Sequence, residues 1–237
     1  MKSMKEVQIS RRLKTVAGLV GLDMVLADVG CDHGYIPIYL MQKRQIPKAI
    51  AMDVNEGPLL RAKEHIQEWG LEEYIETRLS DGVKALQPGE VQSIVIAGMG
   101  GPLMEKIIRE GKAVFDEARE LILQPQSEIE EFRRFLAKEG FSIVSEDMVE
   151  EDGKYYPMMK AVHGTMVYNS VAEYRYGRNL LLHRHPVLKE FLQREQKKAE
   201  EIRERLKDSD TPSAKIRRAQ MEEDENIRKE ALAYYEM

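Results

Sequence analysis

Five short β-branched, apolar runs alternate with helical stretches, and this alternation constrains the chain more than any other feature. The runs are MVLADVG (24–30), KAIAMDV (48–54), YIETRLS (74–80), QSIVIAG (92–98) and ELILQP (120–125). Between and after them, residues 35–44, 56–69, 101–112 and 126–139 have helical character, the last with Ser127 as candidate cap and Gly140 as stop. Each strand and helix together have the length of a right-handed crossover unit, so the runs predict a parallel sheet. At 237 residues and 43% hydrophobic content, the chain can build one sizeable core with a smaller appendage.

The pattern changes after Gly140. FSIVSEDMVEEDGKYYPMMKAVHG holds two extended runs around Asp152-Gly153, a hairpin signal that makes the last two strands antiparallel neighbours. A mostly parallel sheet ending in such a hairpin is the pattern of Rossmann-like class I methyltransferases, whereas dinucleotide dehydrogenases usually finish on a sixth parallel strand. From about residue 170 the chain is charged and helical. Leu188, Leu192, Ala199, Ile202 and Leu206 form a heptad-like stripe that Glu195 interrupts. DSDTPSAK (208–215) reads as a turn and then a helix with Thr211 at the N-cap and Pro212 at its first position. That helix, carrying Ile216, Ile227 and Leu232, is expected to fold back on the first. The predicted fold class is thus α/β: a Rossmann-like class I methyltransferase sheet over residues 1–165, then a small α-helical coiled-coil hairpin domain over residues 166–237.

Composition removes several function classes. The single cysteine, Cys31, excludes an intramolecular disulfide framework and a cysteine-rich zinc site, and no metal is expected. The first ten residues lack an apolar run resembling a signal peptide, and no stretch approaches a membrane span, so a soluble cytoplasmic protein is expected. A net charge of -5 argues against a general polyanion binder. Locally, Lys2, Lys5, Arg11, Arg12 and Lys14 crowd the start with only Glu6 opposing, which is either a basic entrance to the first glycine turn or a solvated helix face.

The glycine turns and the acids beside them carry the chemistry. LADVGCDHGYIP (26–37) begins as a nucleotide-binding turn but places Asp32 where a dinucleotide fingerprint needs glycine. A carboxylate is a poor neighbour for a pyrophosphate and a good one for a cation. The turn therefore suits a cationic, phosphate-free cofactor such as S-adenosylmethionine, with its sulfonium and amino group. Asp28 ends the first strand, Asp53 ends the second where a ribose diol is held, and Asp81-Gly82 ends the third, where an adenine amino group can be met. AGMGGP (97–102) ends the fourth strand, where Gly98, Gly100 and Gly101 around Met99 offer bare backbone for a flat base. The alternative is a helix start packed tightly on the sheet.

SRRL (10–13), ADVGCDHGYIPIYL (27–40), AMDVNEGPL (51–59), SDG (80–82), IAGMGG (96–101), LQPQS (123–127) and YYPM (155–158) together resemble the bacterial tRNA adenine-22 N1-methyltransferase family, the TrmK type, over residues 8–165. The combination of DHGYIP with GMGG is the specific part. Cys31 and Gly34 stand where that family often has serine and alanine. The resemblance implies methyl transfer from S-adenosylmethionine to N1 of adenosine 22 in tRNA. It implies that Asp28, Gly30, Cys31, Asp32 and His33 line the methionine end, Asp53 and Val54 the ribose, Asp81 and Gly82 the adenine, and Ala97, Gly98, Met99 and Gly100 the reaction centre. Adenine N1 has an in-plane lone pair and no proton to lose, so no strong general base is needed. Asp32 is the candidate for stabilising charge, with His33 or Tyr35 contacting the target base. His33 could instead cap the next helix, and Tyr35 could pack on the sheet.

For RNA, Arg11, Arg12 and Lys14 are candidate phosphate contacts near the pocket, and Lys197, Lys198, Arg203, Arg217 and Arg218 are candidates on the hairpin. The hairpin carries about as many acids as bases, so a self-solubilising coiled coil or dimerisation arm is the competing role; a monomer is expected, with a dimer through the hairpin as the other outcome. A small-molecule methyltransferase and a non-enzymatic RNA-binding regulator on the same fold are the rival functions.

Overall fold

The computed structural model describes residues 6–207 and 211–236. Lys2 and Lys5, and residues 208–210 of the expected turn, lie outside them. The chain divides between Met166 and Val167 into two compact units.

The first unit is a seven-stranded sheet in the order β3-β2-β1-β4-β5-β7-β6. Its strands are β1 (Leu26–Val29), β2 (Ala49–Asp53), β3 (Ile75–Leu79), β4 (Ser93–Met99), β5 (Glu120–Pro125), β6 (Phe141–Glu151) and β7 (Lys154–His163). The first five are parallel, and β7 runs antiparallel to both β5 and β6. Every residue of β1, β2 and β5 is buried, which is why these segments read as continuous apolar runs. At the β6–β7 turn, Asp152 and Gly153 both take positive φ, 52° and 76°, the combination a two-residue hairpin requires.

Helices α1 (Arg11–Gly18), α2 (Tyr35–Gln42), α3 (Glu56–Glu68), α4 (Gly101–Glu110), α5 (Lys112–Glu117) and α6 (Ile129–Lys138) cover the sheet. The expected helix over 101–112 ends at Glu110 and is followed, across Gly111, by the separate α5. Ser127 does not cap α6; Glu128, at φ 51°, occupies that position without a side-chain cap, because the 126–128 segment is occupied with the turn after β4. Gly140, at φ 83°, ends α6 as expected. The N-terminus of α1 is capped twice, by the Ser10 hydroxyl and by Glu151 Oε1, which accepts from the backbone N–H of Arg11 at 2.7 Å. Arg133 of α6 and Glu146 of β6 form a fully buried ion pair at 2.8 Å.

In the second unit, a π-helical turn (Glu173–Gly177) and α7 (Arg178–Leu182) precede α8 (Pro186–Leu206) and α9 (Pro212–Ala233), which pair as a hairpin. Thr211 caps α9, accepting from Ala214 N, with Pro212 in its first turn. Leu188 and Leu192 are buried, and the interrupting Glu195 accepts a hydrogen bond from the Tyr176 hydroxyl at 3.1 Å. Ile216 corrects the expected stripe: it is 62% exposed, whereas Ile227 is buried as expected and Ala214, Met221 and Ala231 complete the buried face. Residue 216 is two positions from 214, about 200° around the helix, so the two cannot share a face.

Candidate functional site

The strand order reverses between β1 and β4, and in open α/β sheets a ligand site lies beyond the carboxyl ends of the strands at such a point. At the end of β1, Gly30 adopts φ 75°, and its amide and that of Cys31 both donate to Met52 O of β2, at 2.8 and 2.9 Å. Asp28 and Asp53 are buried at the ends of neighbouring strands. Burial, and then the charge of Asp53, push the Asp28 carboxyl up to about 7. Asp53 Oδ1 accepts from Asn55 N at 2.9 Å. Cys31 is buried too, and its thiol is pushed up by burial and then by the charges of Asp28 and Asp53.

Asp81 departs from the expected alignment of three strand-end acids. It lies past the edge strand β3, exposed, ion-paired with Lys84, and this pairing holds its carboxyl below the usual range. Gly82 does not open onto free space either: a Cβ there would stand 3.1 Å from Ile107 Cγ2 of α4. The apolar rim at this end is instead Val54 and Leu79, 59% and 52% exposed at the ends of β2 and β3.

Asp32 is 63% exposed at φ 48° and is bracketed by Arg61 Nη2 at 3.1 Å and His33 Nε2 at 3.6 Å. Arg61 and His65 sit one turn apart on α3. His65 Nδ1 lies 3.1 Å from the His33 carbonyl oxygen, to which it can only donate. The rings of His33, Tyr35 and His65 form a triangular cluster, each pair near-parallel with centroids 5.2–5.3 Å apart. The capping alternative for His33 does not hold, since Gly34 is the N-cap of α2 and no side chain caps it. Tyr35 combines this cluster with packing against the apolar core. His33 Nδ1 is buried without a hydrogen-bond partner among the described residues.

The turn after β4 is built differently. A bulge between Ala97 and Met99 leaves Gly98 exposed at φ 81°. Gly100 and Gly101, expected to present bare backbone, are packed: a Cβ on Gly101 would stand 2.7 Å from Ser127 O, and one on Gly100 3.0 Å from Ser127 Oγ. The tight-packing alternative therefore describes these two glycines, and the open-backbone reading describes Gly98. The Met99 methyl crosses to Gly30, where a Cβ would meet it at 2.3 Å, so the two turns touch.

The basic residues divide in the same way. Arg11 and Lys14 are exposed on α1. Arg12 is half-buried, with Nη1 donating to Gln124 Oε1 at 2.9 Å and its guanidinium 5.5 Å from the centre of the Tyr156 ring. On the hairpin, Lys197, Lys198 and Arg217 are exposed, whereas Arg203 pairs with Glu225 and Arg218 donates to Leu206 O at 2.7 Å. Arg61, His65 and Leu79 are absent from the expected site residues, as are Gln124, Gln126 and Tyr156, although these last three fall in the LQPQS and YYPM segments. The spacing of Arg61 and His65, four apart on one helix face, was the available signal. Among the described residues, no group of three or more His, Cys, Asp or Glu side chains could hold a metal ion, and no helix is long and apolar enough to cross a membrane.

Sheet order, the site at the reversal and the paired glycine turns define the class: a methyltransferase domain of Rossmann-like architecture, and residues 9–159 match the family model for the methyltransferase domain. The tRNA (adenine(22)-N(1))-methyltransferase of Bacillus subtilis strain 168 is 38% identical over 161 residues, 68% of each chain. The crystal structure of the B. subtilis M1A22 tRNA methyltransferase TrmK superposes with a TM-score of 0.84 at 32% identity, covering 96% of this chain and 100% of that one. Streptococcus pneumoniae Sp1610, solved in complex with S-adenosyl-L-methionine, superposes with a TM-score of 0.83 at 36% identity, covering 95% and 100%. The chain belongs to the tRNA (adenine(22)-N(1))-methyltransferase family.

Proposed function

We propose that this protein methylates N1 of adenosine 22 in tRNA, with S-adenosylmethionine as methyl donor. The observation that carries this reading is the left-handed glycine turn at Gly30 beside the buried pair Asp28 and Asp53, in a chain whose B. subtilis relative has this activity. The site suits a cationic nucleoside cofactor. Among the described residues, Gly30 is faced only by the end of a flexible methionine and His33 Nδ1 is a buried polar atom without a partner, while Val54 and Leu79 offer apolar surface to a flat base. Asp28, Gly30, Cys31, Asp32 and His33 would hold the methionine end, Asp53 and Val54 the ribose, and Leu79 the face of the adenine, with Asp81, shared with Lys84, and Gly82, packed on Ile107, at its rim. Ala97, Gly98, Met99 and Gly100 would border the reaction centre. The bound cofactor supplies an electrophilic methyl on a sulfonium.

The chain's own task is positioning and electrostatics, because adenine N1 attacks through a free lone pair. Asp32, steadied by Arg61, counters the positive charge that passes to the base, and the stack of His33 and Tyr35 supplies a flat surface for that base. Reaching N1 in folded tRNA requires extruding the nucleotide from its stack. Arg11 and Lys14 on α1, with Lys197, Lys198 and Arg217 on the hairpin, contact phosphates; Arg203 and Arg218, already engaged, contribute less. A tRNA substrate puts the protein in the cytoplasm.

The test is transfer of label from S-adenosylmethionine to an unmodified tRNA transcript with adenosine at position 22, beside one with guanosine there. N1-methyladenosine from the first and no label in the second is the expected result. Cofactor binding without label in either transcript would replace tRNA by another substrate.

A further inference from the structure

Four segments far apart in the sequence meet at the open face of Gly98. A Cβ on Gly98 would lie 3.6 Å from Arg12 Nη1 and 3.7 Å from Gln126 Nε2, so a guanidinium and a primary amide overhang the exposed end of β4. Arg12 comes from SRRL and Gln126 from LQPQS. Gln124, in the same segment as Gln126, is fully buried and fixes Arg12 through its Oε1 at 2.9 Å, while Tyr156 of YYPM lies under the guanidinium.

The loop that carries Gln126 is held by the glycine turn itself. Gln126 N donates to Met99 O at 2.8 Å, and Gly101 N donates to Ser127 O at 3.1 Å. Side chains at Gly100 or Gly101 would push Ser127 away, and Gln126 with it. The Gln126 backbone is thus anchored while its side chain stays exposed and forms no hydrogen bond among the described residues. Met99, one residue on, touches Gly30, so this face adjoins the proposed cofactor turn.

We infer that Gln126 reads the target adenine along its N6/N7 edge and that Arg12 takes the phosphate of the same nucleotide, the two forming a base seat over Gly98; this rests on the proposed function. The chemistry selects that edge. An amide accepts from the N6 amino group and donates to N7 at once, the pairing glutamine makes with adenine. Contact at this edge leaves the N1 lone pair free to attack, whereas pairing along the N1 edge would block it. Guanine presents two acceptors, O6 and N7, so the amide oxygen meets a second acceptor and the base is rejected. Arg12 belongs on the phosphate side because a cation beside N1 would oppose the charge that develops there.

The experiment combines Gln126→Ala with a tRNA carrying 7-deazaadenosine at position 22, measuring kcat/KM for all four pairings and S-adenosylmethionine affinity for both proteins. Gln126→Ala on normal tRNA, and 7-deazaadenosine with the wild type, should each lower kcat/KM by roughly tenfold or more. The variant on the substituted tRNA should lose little further, since the N7 contact is already gone, and cofactor affinity should be unchanged. Independent, additive losses, or wild-type kcat/KM in Gln126→Ala, would overturn the inference alone. A wild-type enzyme that binds cofactor but leaves the normal transcript unmethylated overturns the proposed function and the base seat with it.

Discussion

The two glycine turns of the sheet look alike in sequence and are built for opposite purposes. After β1, Gly30 is faced by the Met99 methyl, the movable end of a flexible side chain, and is bordered by a buried carboxyl pair and an ion-paired Asp32. After β4, Gly100 and Gly101 are filled by the 126–128 loop, and only Gly98 faces outward. The first turn is organised by charge and suits a cation; the second is organised by close packing, which aims Gln126 over an open strand end. A glycine cluster thus signals close approach, and whether the approaching group is a ligand or the chain itself depends on what the fold brings there.

The largest effect should come from the charged turn. Asp28→Ala should abolish S-adenosylmethionine binding in a folded protein, checked by calorimetry and melting; unchanged affinity would dissolve the distinction between the turns. In the free wild type, Asp28 is held near 7, so its proton favours the fold. The associated stability is fully present below the unfolded carboxyl value of 3.8 and is lost as pH rises through about 7. Asp28→Asn should therefore raise Tm at pH 8 and barely change it at pH 4. Because a cationic ligand favours the carboxylate, wild-type affinity should climb between pH 6 and 8 with release of a proton, and that climb should vanish in Asp28→Asn.

An intermediate effect separates the glycines of the second turn. Gly101→Ala drives a Cβ into the backbone oxygen of Ser127 and should cost about 1–3 kcal/mol of stability, read as a lower Tm. Gly98→Ala meets only ordinary contacts, so its cost is the left-handed backbone, about 1–2 kcal/mol, while methyl transfer by the folded enzyme falls further than stability explains. Equal ratios of activity to stability in the two variants would mean that Gly98 is packing too. The smallest effect on stability belongs to Arg61→Ala, which breaks an exposed pair with Asp32 and should shift stability by less than about 1 kcal/mol. Its signature is a lower methylation rate at saturating cofactor; an unchanged rate would remove Arg61 from the charged turn's machinery.

Much of the fold was legible because burial writes itself into local sequence. All five parallel strands appear as β-branched runs within two residues of their observed ends, and Asp152-Gly153 announced the antiparallel hairpin through the positive φ both residues adopt. Thr211-Pro212 announced the start of α9 for the same local reason. Where two local signals competed, the sequence reading failed. Ser127 looks like a cap, yet its carbonyl serves Gly101; Ile216 looks like a core residue, yet its angle on α9 turns it outward.

The candidate site split along the same line. Asp28, Gly30 and Asp53 were readable because strand ends and backbone conformation are local properties. Sequence by itself thus determined the class of sheet and the place of the first glycine turn at the end of β1, since each follows from neighbouring residues. Only the tertiary structure decided that Asp81 is neutralised by Lys84, that Arg61 and His65 brace Asp32 and His33, and that Arg12, Gln124, Gln126 and Tyr156 converge near Gly98. The Asp81–Lys84 pair is local in the chain, but the meetings around Asp32 and Gly98 depend on strand order and on helices crossing between strands, so that Arg12 and Gln124, 112 positions apart, become neighbours.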